Sequence, residues 1–179
     1  MIYMLDTNIC IYIINKKPLS FLPKLEKIDQ LHTLAISSIV LAELQYGVSH
    51  SVHKIQNQIN LDAFLTKVEI LPYCEKAAFF YGEIRSTLQK QGQLIGGNDL
   101  LIASHALAEE AILITNNSSE FKRVKDLKIE IWSASIIKNH DSELDSLLKG
   151  INQSNVHKEE FAEEKKSITK GSPEKTHLG

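Results

Sequence analysis

The chain has 179 residues, of which 43% are hydrophobic and 23% charged, and its formal net charge is −2. That is one domain of ordinary size with some surplus, and the balance excludes both a disordered chain and a surface that is basic throughout. No apolar run nears the roughly 20 residues of a membrane-spanning helix, and no basic segment precedes an apolar one at the start. Cys10 and Cys74 stand far apart with no metal-site spacing, so free thiols in a reducing cytoplasm are expected.

Residues 2–5 (Ile-Tyr-Met-Leu) read as a buried strand, and residues 7–15 as the helix after it. Asp6, Thr7 and Asn8 are all residue types that cap a helix start. Lys16-Lys17-Pro18 ends that helix, and a second helical stretch runs from Pro23 to about Leu31. Residues 34–37 predict a short strand. Ser37 or Ser38 then caps a helix through Glu43 to Tyr46-Gly47, with Gly47 as its C-cap. Residues 54–66 predict a helix with Ile55, Ile59 and Ala63 on one stripe, and Val68 to Leu71 a third strand stopped by Pro72. Glu75 to Gln91 reads as a long amphipathic helix whose broad face holds Ala78, Tyr81, Ile84, Arg85 and Leu88. Gly92 closes it, and Gly96-Gly97-Asn98 opens the next helix, over 99–109. Residues 111–114 are a wholly apolar strand, and residues 128–131 a weaker one. Strands alternating with helices imply a parallel sheet covered on both faces.

After about Lys138 the character changes. His140 to Gly150 predicts a short helix with Leu144, Leu147, Leu148 and Ile151 at helical spacing, and from Asn152 the chain is polar and expected to be disordered. The first 138 residues hold 14 basic and 14 acidic side chains, so the net charge arises in the tail, with six basic and eight acidic. The expected organisation is a domain over 1–134 and an appended short helix with a flexible tail over 135–179.

Three acids stand among apolar neighbours: Asp6 after the first strand, Glu43 within Leu41-Ala42-Glu43-Leu44, and Asp99 before Leu100-Leu101-Ile102-Ala103. The carboxyl ends of strands in an open α/β sheet face the ligand crevice. Carboxylates gathered there repel and raise one another's pKa, and a divalent cation reverses that cost. Oxygen ligands without a Cys or His pair point to Mg²⁺ or Mn²⁺ rather than zinc. Such an ion activates water and stabilises charge on a phosphoryl oxygen, so metal-assisted phosphodiester hydrolysis follows. If Asn98 or Asp99 begins its helix, the helix dipole favours the ionised acid by about 0.3–1 kcal/mol.

Each of these residues has an ordinary reading when taken singly. Asp6 and Asp99 are good helix caps, and Glu43 suits the solvent face of an amphipathic helix. Thr115, Asn116 and Asn117 open onto the same crevice, yet an Asn-rich turn is equally usual. His105 and Cys10 read as core residues, and Arg85 and Lys90 as a solvated helix face. It is the joint pattern of acids that favours chemistry.

Met4-Leu5-Asp6-Thr7-Asn8, Glu43-Leu44 with Tyr46-Gly47, Ile95 to Ala103, and Ile114-Thr115-Asn116-Asn117 with Glu120-Phe121 occur in that order. Together they resemble a PIN-domain ribonuclease, more narrowly a VapC-type toxin of a bacterial toxin–antitoxin pair, over residues 1 to about 134. The resemblance implies a three-layer α/β/α fold with a central parallel sheet and an acidic, Mg²⁺-dependent site. Asp6 and Asp99 would be the metal ligands, Glu43 would complete the site, and Thr7 and Asn8 would orient Asp6 and the metal waters. Many family members carry a fourth acid where this chain has Asn117, and Glu120 is the candidate stand-in. One firmly held metal ion is expected.

The resemblance further implies a homodimer and a VapB-like antitoxin that blocks the site with its C-terminal segment and binds operator DNA through its own N-terminal domain. The implied substrate is structured RNA, often tRNA. The alternative within the same fold is a catalytically degenerate protein that binds RNA or a partner without cutting, motivated by Asn117. An aspartyl-phosphate phosphatase also has an Asp after its first strand, but it wants a second Asp where this chain has Asn8.

Overall fold

The computed structural model describes residues 1–16 and 19–132. The helix and tail expected after residue 134 lie outside the described residues. Five parallel strands form one sheet: β1 (Ile2–Leu5), β2 (Thr33–Ser37), β3 (Glu69–Leu71), β4 (Ile112–Thr115) and β5 (Ile129–Ile131), in the order β3-β2-β1-β4-β5. Successive strand residues point to opposite faces of a sheet. Met4 and Leu5 are both wholly buried, as are Leu113 and Ile114, so apolar side chains cover this sheet on both faces. A wholly parallel sheet requires that cover, because its crossover helices lie against it.

The helices are α1 (Thr7–Ile14), α2 (Phe21–Asp29), α3 (Ser38–His50), α4 (Lys54–Leu65), α5 (Glu75–Lys90), α6 (Gly97–Ala108) and the single turn α7 (Ser118–Phe121). Among them α1, α3 and α4 pack on one another, and α5 pairs with α6. The sheet therefore stands between helical layers, as expected.

The chain builds outward from β1 to β2 and β3, then returns to place β4 on the other side of β1. That reversal opens a crevice at the carboxyl ends of β1 and β4, where open α/β sheets bind ligands. Tyr3 pairs with Ile112 and Leu5 with Ile114, so the two strands end level with each other. Asp6 follows one and Asn116 the other.

Four local expectations change. Helix α3 does not stop at Gly47 but runs on to His50, because nothing crowds that position and the chain next turns extended at Ser51. On α4 the stripe is rotated: Leu61 and Phe64 are buried while Ile55 and Ile59 are exposed. On α5 the buried residues are Ala77, Ile84 and Leu88, and Ala78 faces out. Helix α6 begins at Gly97 with Gly96 as its N-cap, two residues before Asp99.

His105 is wholly buried, as expected of a core histidine, with Nδ1 2.8 Å from Ser37 Oγ. It ties α6 to the end of β2. Burial holds its pKa below the ordinary imidazole value, against the pull of Glu109. Cys10 is also wholly buried, and its thiol pKa is pushed well up by burial and then by the charge of Asp6.

Candidate active site

Asp6 is the floor of the crevice. Its carboxylate is only 2% exposed. As the N-cap of α1 it accepts from the Thr7 backbone N–H at 2.7 Å through Oδ1, and from the Thr115 hydroxyl at 2.8 Å through Oδ2. Asp6 thus caps α1 while lying at the carboxyl end of β1. Burial raises its pKa most, the two hydrogen bonds oppose that, and the charge of Glu43 adds to it.

Glu43 reaches the same place from the second turn of α3, held by two neutral donors. The Thr7 hydroxyl donates to Oε2, and Asn98 Nδ2 donates to Oε1 at 2.7 Å. The solvent-face reading of Glu43 therefore fails: its carboxylate is clamped between α1 and α6. Asn98 is the residue the sequence reasoning passed over, having read it only as a helix starter. Its signal was an amide beside Asp99 in the first turn of a helix that faces the crevice.

Asp99 is half-buried in the first turn of α6, where Asn117 Nδ2 donates to Oδ2 at 3.1 Å. Its pKa is raised to about 7, first by burial, then by the hydrogen bond and charge of Glu120, then by Asp6 and Glu43. The helix dipole pulls the other way but is worth under one pKa unit, each unit being about 1.4 kcal/mol. Burial and repulsion win. Glu120 is held below the ordinary carboxylate value, chiefly because the Gly96 backbone N–H donates to Oε2 at 2.9 Å. The two carboxyls are thus pushed in opposite directions, Asp99 up chiefly by burial and Glu120 down chiefly by the Gly96 N–H.

The β4 end completes the wall. Thr115 is wholly buried; while donating to Asp6 it also accepts from the Asn117 backbone N–H at 2.9 Å. Ser119 donates to Asn117 Oδ1 at 3.1 Å, which turns the amide nitrogen toward Asp99. Asn116 instead donates to the Tyr12 hydroxyl at 3.2 Å, linking the turn to α1. Asn8 is exposed on the first turn of α1 and takes no part in these contacts. The structure thus brings together Asp6, Thr7, Glu43, Asp99, Thr115, Asn117 and Glu120, and leaves Asn8 and Asn116 at the margin.

The donor set suits a hard cation. Every charged group in the cluster is a carboxylate, and the charges of Glu120, Asp6 and Glu43 add to burial in raising the Asp99 pKa, a cost that a cation would relieve. Among the described residues no three His, Cys, Asp or Glu side chains stand close enough for a ready-made shell.

Comparison with known proteins supplies the family. The PIN domain family pattern matches residues 3–127. A ribonuclease of Rickettsia felis, VapC2, is 59% identical over 132 residues, covering 74% of this chain and 98% of that protein. The chain belongs to the PIN-domain family, in its VapC branch. The tRNA(fMet)-specific endonuclease VapC of Shigella flexneri is 40% identical over 131 residues, covering 73% of this chain and 98% of its own length. Among solved structures, VapBC2 of Rickettsia felis bound to a DNA fragment from its promoter contains a chain that matches with a TM-score of 0.72 at 58% identity. That match covers 74% of this PIN chain and 100% of the other. Nucleases of the VapC branch generally depend on a divalent metal ion. No helix among the described residues is long and apolar enough to cross a membrane.

Proposed function

We propose that this PIN-domain chain is a Mg²⁺-dependent endoribonuclease toxin that cleaves structured RNA, tRNA foremost, and is neutralised by a VapB-like antitoxin. The observation that carries the reading is the gathering of Asp6, Glu43, Asp99 and Glu120 at the switch-point end of the sheet. There Asp99 is pushed up to about 7 by burial and by its acidic neighbours. Relatives named as ribonucleases over nearly their whole length support the activity.

In this reading Asp6 and Asp99 hold the ion. When bound, it supplies an activated water and charge stabilisation at the scissile phosphate. Thr7 and Asn98 fix both oxygens of Glu43, so that its carboxylate orients water rather than swinging to solvent. Thr115 and the Thr7 N–H each hold one Asp6 oxygen, which fixes the orientation of the carboxylate. Asn117 orients Asp99 without adding charge, and Glu120 supplies the charge that an acid at position 117 would bring. Manganese is the natural substitute, having the same preference for oxygen ligands.

The PIN unit of residues 1–134 carries this activity in our reading, and works in the cytoplasm as a homodimer. Two surfaces support a protein partner. A groove of about 150 Å³ beside Glu43 is lined by Ile11, Ile14, Leu44, Gly47, Val48 and Leu61. Ile55 and Ile59 stand exposed one turn apart on α4. An antitoxin C-terminal segment in that groove would end at the catalytic carboxylates. The complex would then reach operator DNA through the antitoxin, as the VapBC2 pair of Rickettsia felis is bound to a promoter fragment.

The degenerate reading rests on Asn117, and growth assays separate the two. Induction of the chain in bacteria is expected to arrest growth, with Asp6→Asn abolishing the arrest and co-expressed antitoxin relieving it. Equal arrest by the wild type and Asp6→Asn would replace the nuclease with a non-cleaving binder.

A further inference from the structure

Beyond the acidic cluster, α3 carries a second feature that no catalytic role absorbs. Tyr46 is 69% exposed, one turn from a clamped carboxylate. His50 stacks on it, with ring centroids 5.7 Å apart and planes inclined by 13°. At about 100° per residue, Glu43, Tyr46 and His50 fall within roughly 60° of one another around the helix. Tyr46 and His50 lie on the side of Glu43 away from the buried Val40 and Leu44. Residue 42, which precedes Tyr46 by one turn, is an exposed alanine and offers only a methyl group.

We propose that Tyr46, backed by His50, is a stacking subsite for an unpaired RNA base next to the scissile phosphate. The proposal rests on the nuclease reading. Single-stranded bases are recognised on aromatic faces, because every base has a π-face and stacking is largely independent of sequence. The histidine holds the tyrosine ring before RNA arrives, so less side-chain freedom is lost on binding. Glu43 and Tyr46 are three residues apart, which places their Cβ atoms about 5–6 Å from each other. A base on the ring would therefore neighbour the nucleotide whose phosphate meets the acids. A loop presents such unpaired bases and a continuous duplex does not, so the subsite would select loops.

The test uses the full-length protein without antitoxin, carrying Asp6→Asn so that RNA is bound and not cut. The probes are bulk bacterial tRNA and a single-stranded oligoribonucleotide carrying a fluorescent purine analogue. Tyr46→Ala is expected to weaken binding of both roughly 10-fold or more and to abolish quenching of the analogue, with Tyr46→Phe retaining both. In the cutting protein, Tyr46→Ala should raise KM by a similar factor while kcat at saturating RNA changes far less. Unchanged RNA affinity and quenching in Tyr46→Ala would overturn the proposal. The same unchanged RNA binding with loss of antitoxin affinity would assign the flank to the protein partner instead. Because binding is read without cleavage, a wild type that fails to cut RNA counts against the nuclease reading and leaves this test intact.

Discussion

Burial and its acidic neighbours push the Asp99 carboxyl up, and its pH behaviour follows from that. Its folded pKa of about 7 lies above the 3.8 of an unperturbed carboxyl, so the folded state binds the proton more tightly than the unfolded one. The stability it contributes is complete below about pH 4 and is lost as pH rises through 7. Metal-free protein should therefore lose stability across that window. Asp99→Asn should remove that part of the slope and raise Tm at pH 8 by a few degrees, read by thermal melts in EDTA. A variant with the wild-type pH dependence would show that Asp99 is not under strain. Asn117→Asp tests the same site from the other side. The amide that donates to Asp99 becomes a carboxylate facing it. Metal-free stability should fall by about 1–2 kcal/mol while Mg²⁺ affinity, measured calorimetrically, rises. An unchanged Tm in EDTA would mean that residue 117 does not bear on Asp99.

At the scale of elements, the extension of α3 through Gly47 carries its own prediction. A Cβ added there meets nothing within 4 Å, and the backbone is helical. Gly47→Ala should stabilise the protein by about 0.5–1 kcal/mol, a few degrees in Tm at most, through the reduced backbone freedom of alanine. Destabilisation would mean that the groove beside Glu43 needs the bare backbone. The same glycine shows where sequence reading stops. Apolar runs such as Met4-Leu5 and Leu113-Ile114 are legible because a buried parallel strand must be apolar on both faces. The acids at strand ends and helix starts are legible because a core has no use for them. The rotation of α4 is not, since Ile55 and Leu61 are equally apolar and only the packing partner chooses between them. Nor is α7, whose single turn is too short to show a period. Asn98 and Tyr46 stand in the motif blocks, yet their roles are not legible for a related reason: an amide at a helix start and a tyrosine on a helix are ordinary in sequence. Only the fold shows one clamped to Glu43 and the other left in solvent.

At the scale of the molecule, three quarters of the chain accounts for nearly all of its relatives' length. The acidic cluster, the switch-point crevice and the buried Trp132 that packs 5.0 Å from Phe21 all fall within that part. Protein ending at residue 134 is accordingly expected to melt within a few degrees of the full chain and to cut RNA at a similar rate. Loss of either property would show that the remaining residues belong to the working unit. In the proposed reading, carboxylates brought together by β1, α3, α6 and the β4 turn cut RNA with a divalent ion. The most direct measurement is cleavage of total bacterial RNA by purified, antitoxin-free protein, in Mg²⁺ or in EDTA, beside Asp6→Asn. Discrete fragments are expected, disappearing with the chelator and again with the amide. Fragments that persist in EDTA or with Asp6→Asn, or no fragments from folded wild type, would contradict it.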